Sequence, residues 1–451
     1  EGPAKRGGDI ECIDCDVVTE SEEVLKRFQN GEFEYEVYCV RTVDHSEKYS
    51  YRSPTEDDQM AMKKAENRIN SDFELSTLLS SPVPDGEKTH ELRRYGFEEW
   101  RDMFSPRQLV THYEYLNAFR EVKPTIKEEY EPEKAEAILT LLTLASSKSI
   151  DRNCRLTGWD SNWGYPSQMF KSQNFAFQRA FVDNNISRGA MGFESQIERI
   201  VDSYEELRRY LSDDSQAAEV TNVDAADLPY TEGDLSAVVV DPPYYTSVMY
   251  AELSDIFYVW MKEYLKDTFP DFFSVELTDK ENEAVANPSR FEDVAGDSTS
   301  KKQLANEFYE QKMSDIFSEL YRVLEKGGVM TVMFTHKETD AWDTLTMSLI
   351  NSGFTITSTH PITSEMPQQA GMRNTASADS TLLLTGRKPH KERDSENAIP
   401  TLWSDVKSDT RKAAKDAARE LIDSGLSLTK TDVIISAFGP TLRVFADAYP
   451  V

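Results

Sequence analysis

The chain has 451 residues, 80 acidic and 50 basic, for a net charge of -30. Its apolar fraction of 39% excludes a disordered chain, and no run approaches the ~18 apolar residues of a membrane span. Four cysteines, Cys12, Cys15, Cys39 and Cys154, are too few for a disulfide scaffold, which points to a reducing cytoplasm. The acid is spread through the chain, as in proteins of a high-salt cytoplasm. It repels nucleic acid at low ionic strength, so any nucleic-acid site must be a local basic or aromatic strip. Glu1 in place of a Met, and an end in mid-segment at Phe445–Val451, suggest a piece of a longer protein.

Residues 1–52 read as a small β-rich module. Phe33–Tyr38 alternates apolar and charged residues, as a half-buried strand does. A charged helix is expected over 55–70 and a loop at Pro82–Gly86. Helical stretches follow at 97–121, with Pro106 near a helix start, and at Pro132–Ser146. From about residue 215 strands alternate with helices. Expected strands are Glu219–Val223, Ala237–Val240, Val329–Phe334, Thr355–Thr359 and Ser380–Thr385. Between them lie an amphipathic helix with Tyr250, Leu253, Phe257, Trp260 and Tyr264 on one face, and a helix from Gln303 to Glu325 carrying Phe308, Phe317, Leu320 and Leu324. That second helix is expected to stop at Gly327-Gly328, and a further one runs from Ala341 to Ile350. This alternation predicts a mostly parallel sheet covered on both faces. The last sixty residues or so are helical and charged.

The sharpest chemical signal is Val238-Val-Val-Asp241-Pro242-Pro243-Tyr244-Tyr245. In an open α/β sheet, ligands gather at the carboxyl ends of the strands, and Asp241 sits at such an end. Two prolines fix the backbone and remove two N–H donors while keeping their carbonyls. A carboxylate, an outward carbonyl and a flat ring can hold a planar group bearing an NH2. Both amine hydrogens then meet acceptors and the nitrogen lone pair is left to face an electrophile.

Asp-Pro-Pro-Tyr resembles the catalytic motif of the N6-adenine and N4-cytosine DNA methyltransferases. The longer run Asp241–Trp260 resembles a prokaryotic family assigned as adenine-specific DNA methylases, which carry a zinc ribbon and an N-terminal DUF1156 domain. Tyr95–Trp100, Phe104–Gln108, Leu277–Glu281, Asn287–Arg290, Phe334–Thr339 and Phe438–Pro440 fit the same family. The resemblance implies a Rossmann-like S-adenosylmethionine-dependent methyltransferase sheet of α/β class, here in its later strands only. It implies DNA as partner, with prokaryotic defence or restriction components around it. It also implies a helical insert at 53–155, a catalytic half at 156–390 and a helical appendage at 391–451. Residues 1–52 would hold a zinc-ribbon remnant and the β module. The family's Phe-x-Gly-x-Gly cofactor loop has no counterpart here, and no Gly-x-Gly occurs anywhere in the chain.

In the resembled fold, an acidic residue at Asp224, beside Ala225, accepts a hydrogen bond from the adenine amine of S-adenosylmethionine; the alternative is an ordinary turn aspartate. Cys12 and Cys15 have zinc-knuckle spacing without a second pair downstream. They read as half of a structural zinc site whose other half, by resemblance, lies upstream; two surface thiols are the alternative. Trp159–Phe170 reads as core rather than as a base-stacking groove. His336 and Lys337, after the strand ending at Phe334, and Arg373, in the loop between the last two strands, are candidate phosphate contacts or solvated loop residues. Asp241 and the Pro242 carbonyl are expected to take the amine hydrogens of a flipped base, with Tyr244 stacking on it and Tyr245 in support. The expected activity is adenine N6 methylation. The alternatives are N4-cytosine methylation and a non-catalytic nucleic-acid-binding subunit of the same fold.

Overall fold

The Ser105-Pro106 pair starts one long helix by its own chemistry. Ser105 Oγ accepts the Gln108 amide at 3.2 Å and Gln108 Oε1 accepts the Ser105 amide at 2.9 Å. With Pro106 at the first helical position, two of the otherwise unpaired amides are satisfied. The computed structural model describes residues 9–12, 15–44, 48–171, 173–187, 191–211, 217–294, 300–336, 339–362, 381–390, 401–423 and 430–448. These fall into two units, Glu1–Ala217 with Tyr250–Glu281, and Ala218–Met249 with Asn282–Val451. The division cuts across the four sequence segments, because the chain leaves the second unit at Met249 and returns at Asn282.

In the first unit, α5 (Pro106–Glu129), α6 (Pro132–Ile150) and α8 (Tyr250–Leu265) surround a core that includes Trp100, Leu116, Leu139, Ile256 and Trp260. Around them lie α1 (Ser21–Gln29), α2 (Glu56–Ser71), α3 (Phe73–Thr77), α4 (His90–Arg94) and α7 (Phe193–Arg208). Four two-stranded hairpins complete it: β1 (Ile10–Glu11) with β2 (Val18–Thr19), β3 (Val40–Val43) with β4 (Tyr49–Arg52), β5 (Trp159–Asp160) with β6 (Tyr165–Pro166), and β7 (Phe170–Lys171) with β8 (Asn174–Phe175). The helices expected at 55–70, 97–121 and 132–146 are present. Two buried carboxylates on α8 tie it to loops. Glu252 accepts the amides of Glu87, Lys88 and Thr89 at 3.2, 2.7 and 3.4 Å. Asp255 accepts the Thr278 amide at 3.0 Å and pairs with Lys280 at 2.7 Å, which gives the Leu277–Glu281 stretch a structural role.

Two expectations fail in this unit. Phe33–Tyr38 is not a ladder strand. Its alternation is real, since Phe33 and Tyr35 share a face and pack on Phe28, Phe181 and the Arg155 guanidinium, but among the described residues no strand pairs with it. Trp159 and Trp163 are exposed rather than core. Arg41 spans the Tyr49 and Trp159 rings, while Pro166 and Met169 of that stretch are buried.

The second unit is built on one sheet of order β11-β12-β10-β9, where β9 is Leu235–Val240, β10 Leu324–Phe334, β11 Thr355–Ile362 and β12 Thr381–Arg387. Helices α9 (Lys301–Val323), α10 (Thr339–Asn351), α11 (Trp403–Asp423) and α12 (Lys430–Ala448) accompany it. β9 and β10 are parallel, with Val240 opposite Val332. β12 runs antiparallel to both β10 and β11. The sheet is therefore mixed, not mostly parallel, because the chain from β11 returns as a hairpin-like partner inserted next to β10. The expected strand Glu219–Val223 has no regular structure and is exposed, and among the described residues no strand pairs with it. Helix α9 ends at Val323, and Gly327-Gly328 lies inside β10, where the register against β9 shifts between Leu324 and Val329. Among the described residues no helix is long and apolar enough to cross a membrane.

His112, on α5, is enclosed by the Phe104 and Trp260 rings and donates Nε2–H to the Asn153 carbonyl at 3.0 Å. Its Nδ1 is buried without a partner. Burial pushes its pKa down to about 4 from 6.5. In the unfolded chain the ring takes a proton as pH falls below ~6.5, whereas in the fold it stays neutral until about 4. Stability is therefore complete above pH ~6.5 and falls by up to about 3 kcal/mol on acidification toward pH 4. Urea unfolding at stepped pH should show this slope, and His112→Gln should flatten it. An equal slope in the variant would assign the acid sensitivity elsewhere.

Candidate functional site

The parallel register of β9 and β10 brings their carboxyl ends to one rim of the sheet. Asp241-Pro242-Pro243-Tyr244 leaves the end of β9, and Thr335-His336 leaves the end of β10. Two elements grip the loop. From α9, the Tyr309 hydroxyl donates to the Pro243 carbonyl at 3.0 Å. Tyr309 is fully buried, and burial raises its pKa, so the phenol keeps its proton and acts as donor. From the other side, the Ala286 amide donates to the Tyr245 carbonyl at 3.1 Å. Asn287 closes that segment by capping Ser289 with its side chain at 3.1 Å.

Within the loop the Tyr245 amide turns back to the Pro243 carbonyl at 3.0 Å, and Tyr245 sits at a φ of 56°. A non-glycine residue in that region is strained, and its surroundings must offset the strain. Here the Tyr245 ring is buried, edge-on to Tyr309 at 5.2 Å and to His336 at 5.4 Å. Tyr245 thus braces the loop from the core. Tyr244 is half-buried with its ring edge-on to Phe334 at 5.4 Å. Among the described residues, neither the Asp241 carboxylate nor the Pro242 carbonyl has a hydrogen-bond partner, and Asp241 is exposed. The loop therefore uses the carbonyls of Pro243, Tyr244 and Tyr245 in its own fold and, among the described residues, keeps the Asp241 carboxylate and the Pro242 carbonyl as open acceptors.

The other candidates divide. His336 is buried, and its carbonyl accepts Trp342 Nε1–H at 2.8 Å. It lies on the Asp241 rim but among aromatic rings. Lys337 and Arg373 lie outside the described residues. Asp224 and Ala225 are exposed. The Asp224 carboxylate already accepts the Ala226 amide at 2.9 Å and pairs with Lys312 at 2.7 Å, so an adenine amine there would share it with an ammonium. Cys12 and Cys15 belong to the first unit. The Cys12 amide donates to the Val17 carbonyl at 2.8 Å, and Asp16, next to Cys15, takes a φ of 58°. Among the described residues no cluster of three or more metal-ligating side chains occurs.

Tyr309 and Lys312 were not legible as site residues. The sequence places Phe308 on the buried face of its helix, but the buried row is Ala305, Tyr309, Met313, Phe317, Leu320 and Val323. Phe308 instead packs on Phe291 and under Arg290. The signal was present in the small residue Ala305 four positions before Tyr309, since a 3,4 register counted from Ala305 selects the correct face.

No family model and no curated protein matches this chain. Among solved structures it is similar to a protein of Thermus thermophilus assigned as a DNA modification methylase, at 14% identity and a TM-score of 0.20, over 42% of this chain and 56% of that one. The structure of that protein complexed with S-adenosyl-L-methionine gives 14% identity and a TM-score of 0.20 over 43% and 61%. The 4+2 cyclase SpnF gives 14% and 0.21 over 63% of this chain and 97% of that one. This chain thus spans little more than half the length of the first of these proteins, and likenesses so distant assign neither activity nor substrate.

Tyr309→Phe keeps the ring and deletes one buried hydrogen bond. It should cost about 1 kcal/mol of stability and speed amide exchange at Tyr245 and Ala286, with the rest of the sheet unchanged. Unchanged exchange at both amides would show that the loop is held without the phenol.

Proposed function

We propose that this chain carries the catalytic half of an S-adenosylmethionine-dependent amino-methyltransferase acting on DNA in the cytoplasm, with adenine N6 as the target. The observation that carries the proposal is the pair of open acceptors at the end of β9, the Asp241 carboxylate and the Pro242 carbonyl, on a loop pinned by Tyr309. A planar amine docked there gives one hydrogen to each, and its lone pair is directed away from both. A base amine lies inside the duplex, so the target must leave the stack before it reaches Asp241. Tyr244 offers the flat ring against which it can rest. The bound cofactor would supply the methyl group. Asp241 acts by orienting the nitrogen and by meeting the positive charge that grows on it.

The sheet supports this reading through its order and directions. Its two parallel strands β9 and β10 end together on the rim that carries Asp241, where an open α/β sheet gathers its ligands. β9 is its edge among the described residues, yet Val239 is 79% exposed. A β-branched strand paired in parallel is ordinarily covered on both faces, so the face of β9 that carries Val239 lacks a covering layer among the described residues.

The residues present fit the cofactor only in part. Asp224 suits an adenine amine if Lys312 yields, and nothing in the chain offers a glycine-rich turn. That observation favours the second reading, a nucleic-acid-binding subunit that keeps the fold without the chemistry. Titrating labelled S-adenosylmethionine separates the two, since a non-catalytic subunit leaves it free.

Asp241→Ala should abolish methyl transfer to DNA in high salt while leaving cofactor affinity close to wild type. Asp224→Ala should do the reverse, weakening cofactor affinity by up to about tenfold for a hydrogen bond worth ~0.5–1.5 kcal/mol. Tyr244→Ala should fall between, by the ~1–3 kcal/mol of a stacked base. Near-normal transfer by Asp241→Ala would reduce the loop to a structural turn.

A further inference from the structure

Helix α11 sorts its charges onto separate faces. Lys407, Arg411, Lys415 and Arg419 recur every four residues and form one row, and all four are exposed. Ser404, Ser408 and Lys412 form the adjoining row. The acids Asp405, Asp409, Asp416 and Glu420 collect on the next sector, and Val406 and Thr410 are buried on the far side. Among the described residues none of the five cations is within 4.0 Å of a carboxylate.

A merely solvated helix gains from opposite charges four residues apart. Within the row the four-residue neighbours are like charges, which repel and cost stability; the opposite-charge neighbours at that spacing are Lys412 with Asp416 and Arg419 with Asp423, and among the described residues neither pair is joined by a salt bridge. That cost is set against a chain of net charge -30, in which an unpaired cation has acids on every side to choose from. The row spans about 18 Å at ~1.5 Å per residue, about the rise of five base pairs. Side chains of this kind, Lys and Arg with interleaved hydroxyls, are the ones that contact phosphate and position a duplex without reading its sequence.

We propose that this face of α11 binds the phosphate backbone of duplex DNA. The inference rests on the reading of DNA as partner and adds where an acidic protein makes its non-specific contact. The face supplies local positive charge, and high salt screens the repulsion from the remainder of the surface.

The test is the salt dependence of binding of a labelled duplex to the full chain. The variant neutralises the row by Lys407→Gln, Arg411→Gln, Lys415→Gln and Arg419→Gln, which preserves helix propensity. The control makes the same charge change on exposed helical lysines of the first unit, Lys26, Lys63, Lys64 and Lys134, each →Gln. For four lost phosphate contacts, the slope of log affinity against log salt should fall by about 3–4 in the row variant. Its affinity should drop at least tenfold at about 0.1 M salt, with the control far closer to wild type. Equal slopes in the row variant and the control overturn the proposal and leave the DNA reading standing. A wild-type chain that binds no duplex at any salt overturns both. A row variant that changes self-association and not DNA affinity assigns the face to a second copy and overturns it as well.

Discussion

The hydrogen bond from the Tyr309 phenol to the Pro243 carbonyl is the constraint on which the candidate site depends. Two prolines in succession stiffen a loop and keep their carbonyls as acceptors; the local Tyr245 amide meets the one on Pro243, and the Tyr309 phenol meets the same oxygen. Tying one of them to a buried, protonated phenol fixes which carbonyl remains outward. The strained Tyr245 is then tolerated, because its ring is held between Tyr309 and His336 and its carbonyl by Ala286. The same helix holds the other candidate segment. Lys312, one turn on, meets Asp224, and Arg322 further along bonds the Tyr230 carbonyl at 2.9 Å. Helix α9 is thus the ruler against which the loop after β9 and the segment before it are both set.

This arrangement explains the division of polarity around the loop. The core side is aromatic and dry, with Phe334, Trp342 and Tyr309 packed beneath it. The open side carries Asp241 and the Pro242 carbonyl without partners among the described residues. Acceptors that meet no donor within the fold suit a ligand that brings donors of its own, and an amine is the simplest one with two. The net charge of -30 makes an anionic ligand costly wherever cations are absent, so any anionic partner must approach through local positive faces.

The position of Asp241 at the carboxyl end of a strand was legible because three signals coincide there: a β-branched run, a motif that ends it, and an amphipathic helix after it. The helices of the first unit were legible from periodicity and caps, as at Ser105-Pro106. What was not legible was anything that needed a neighbour. Phe33–Tyr38 and Glu219–Val223 have strand-like patterns, but a strand exists only if another lies beside it, and pairing is not written in six residues. The antiparallel direction of β12 likewise follows from where the chain returns, not from its own apolar run. Tyr309 failed for a different reason. Its helix carries aromatic residues on adjacent positions, Phe308 and Tyr309, and choosing the buried one requires the whole register. Trp159 and Trp163 were assigned to the core by the habit of their residue type, yet short hairpins such as β5–β6 are too small to cover them.

The central claim is that the loop after β9 orients a base amine for methylation. It is tested most directly by identifying the methylated product. The protein, expressed from its complete reading frame, is incubated in high salt with DNA and S-adenosylmethionine carrying an isotope-labelled methyl group, and the DNA is digested to nucleosides for mass analysis. The account predicts label on the N6 amine of adenine, and none after Asp241 is replaced. Label on a ring carbon of a base, or label that persists without Asp241, would contradict it.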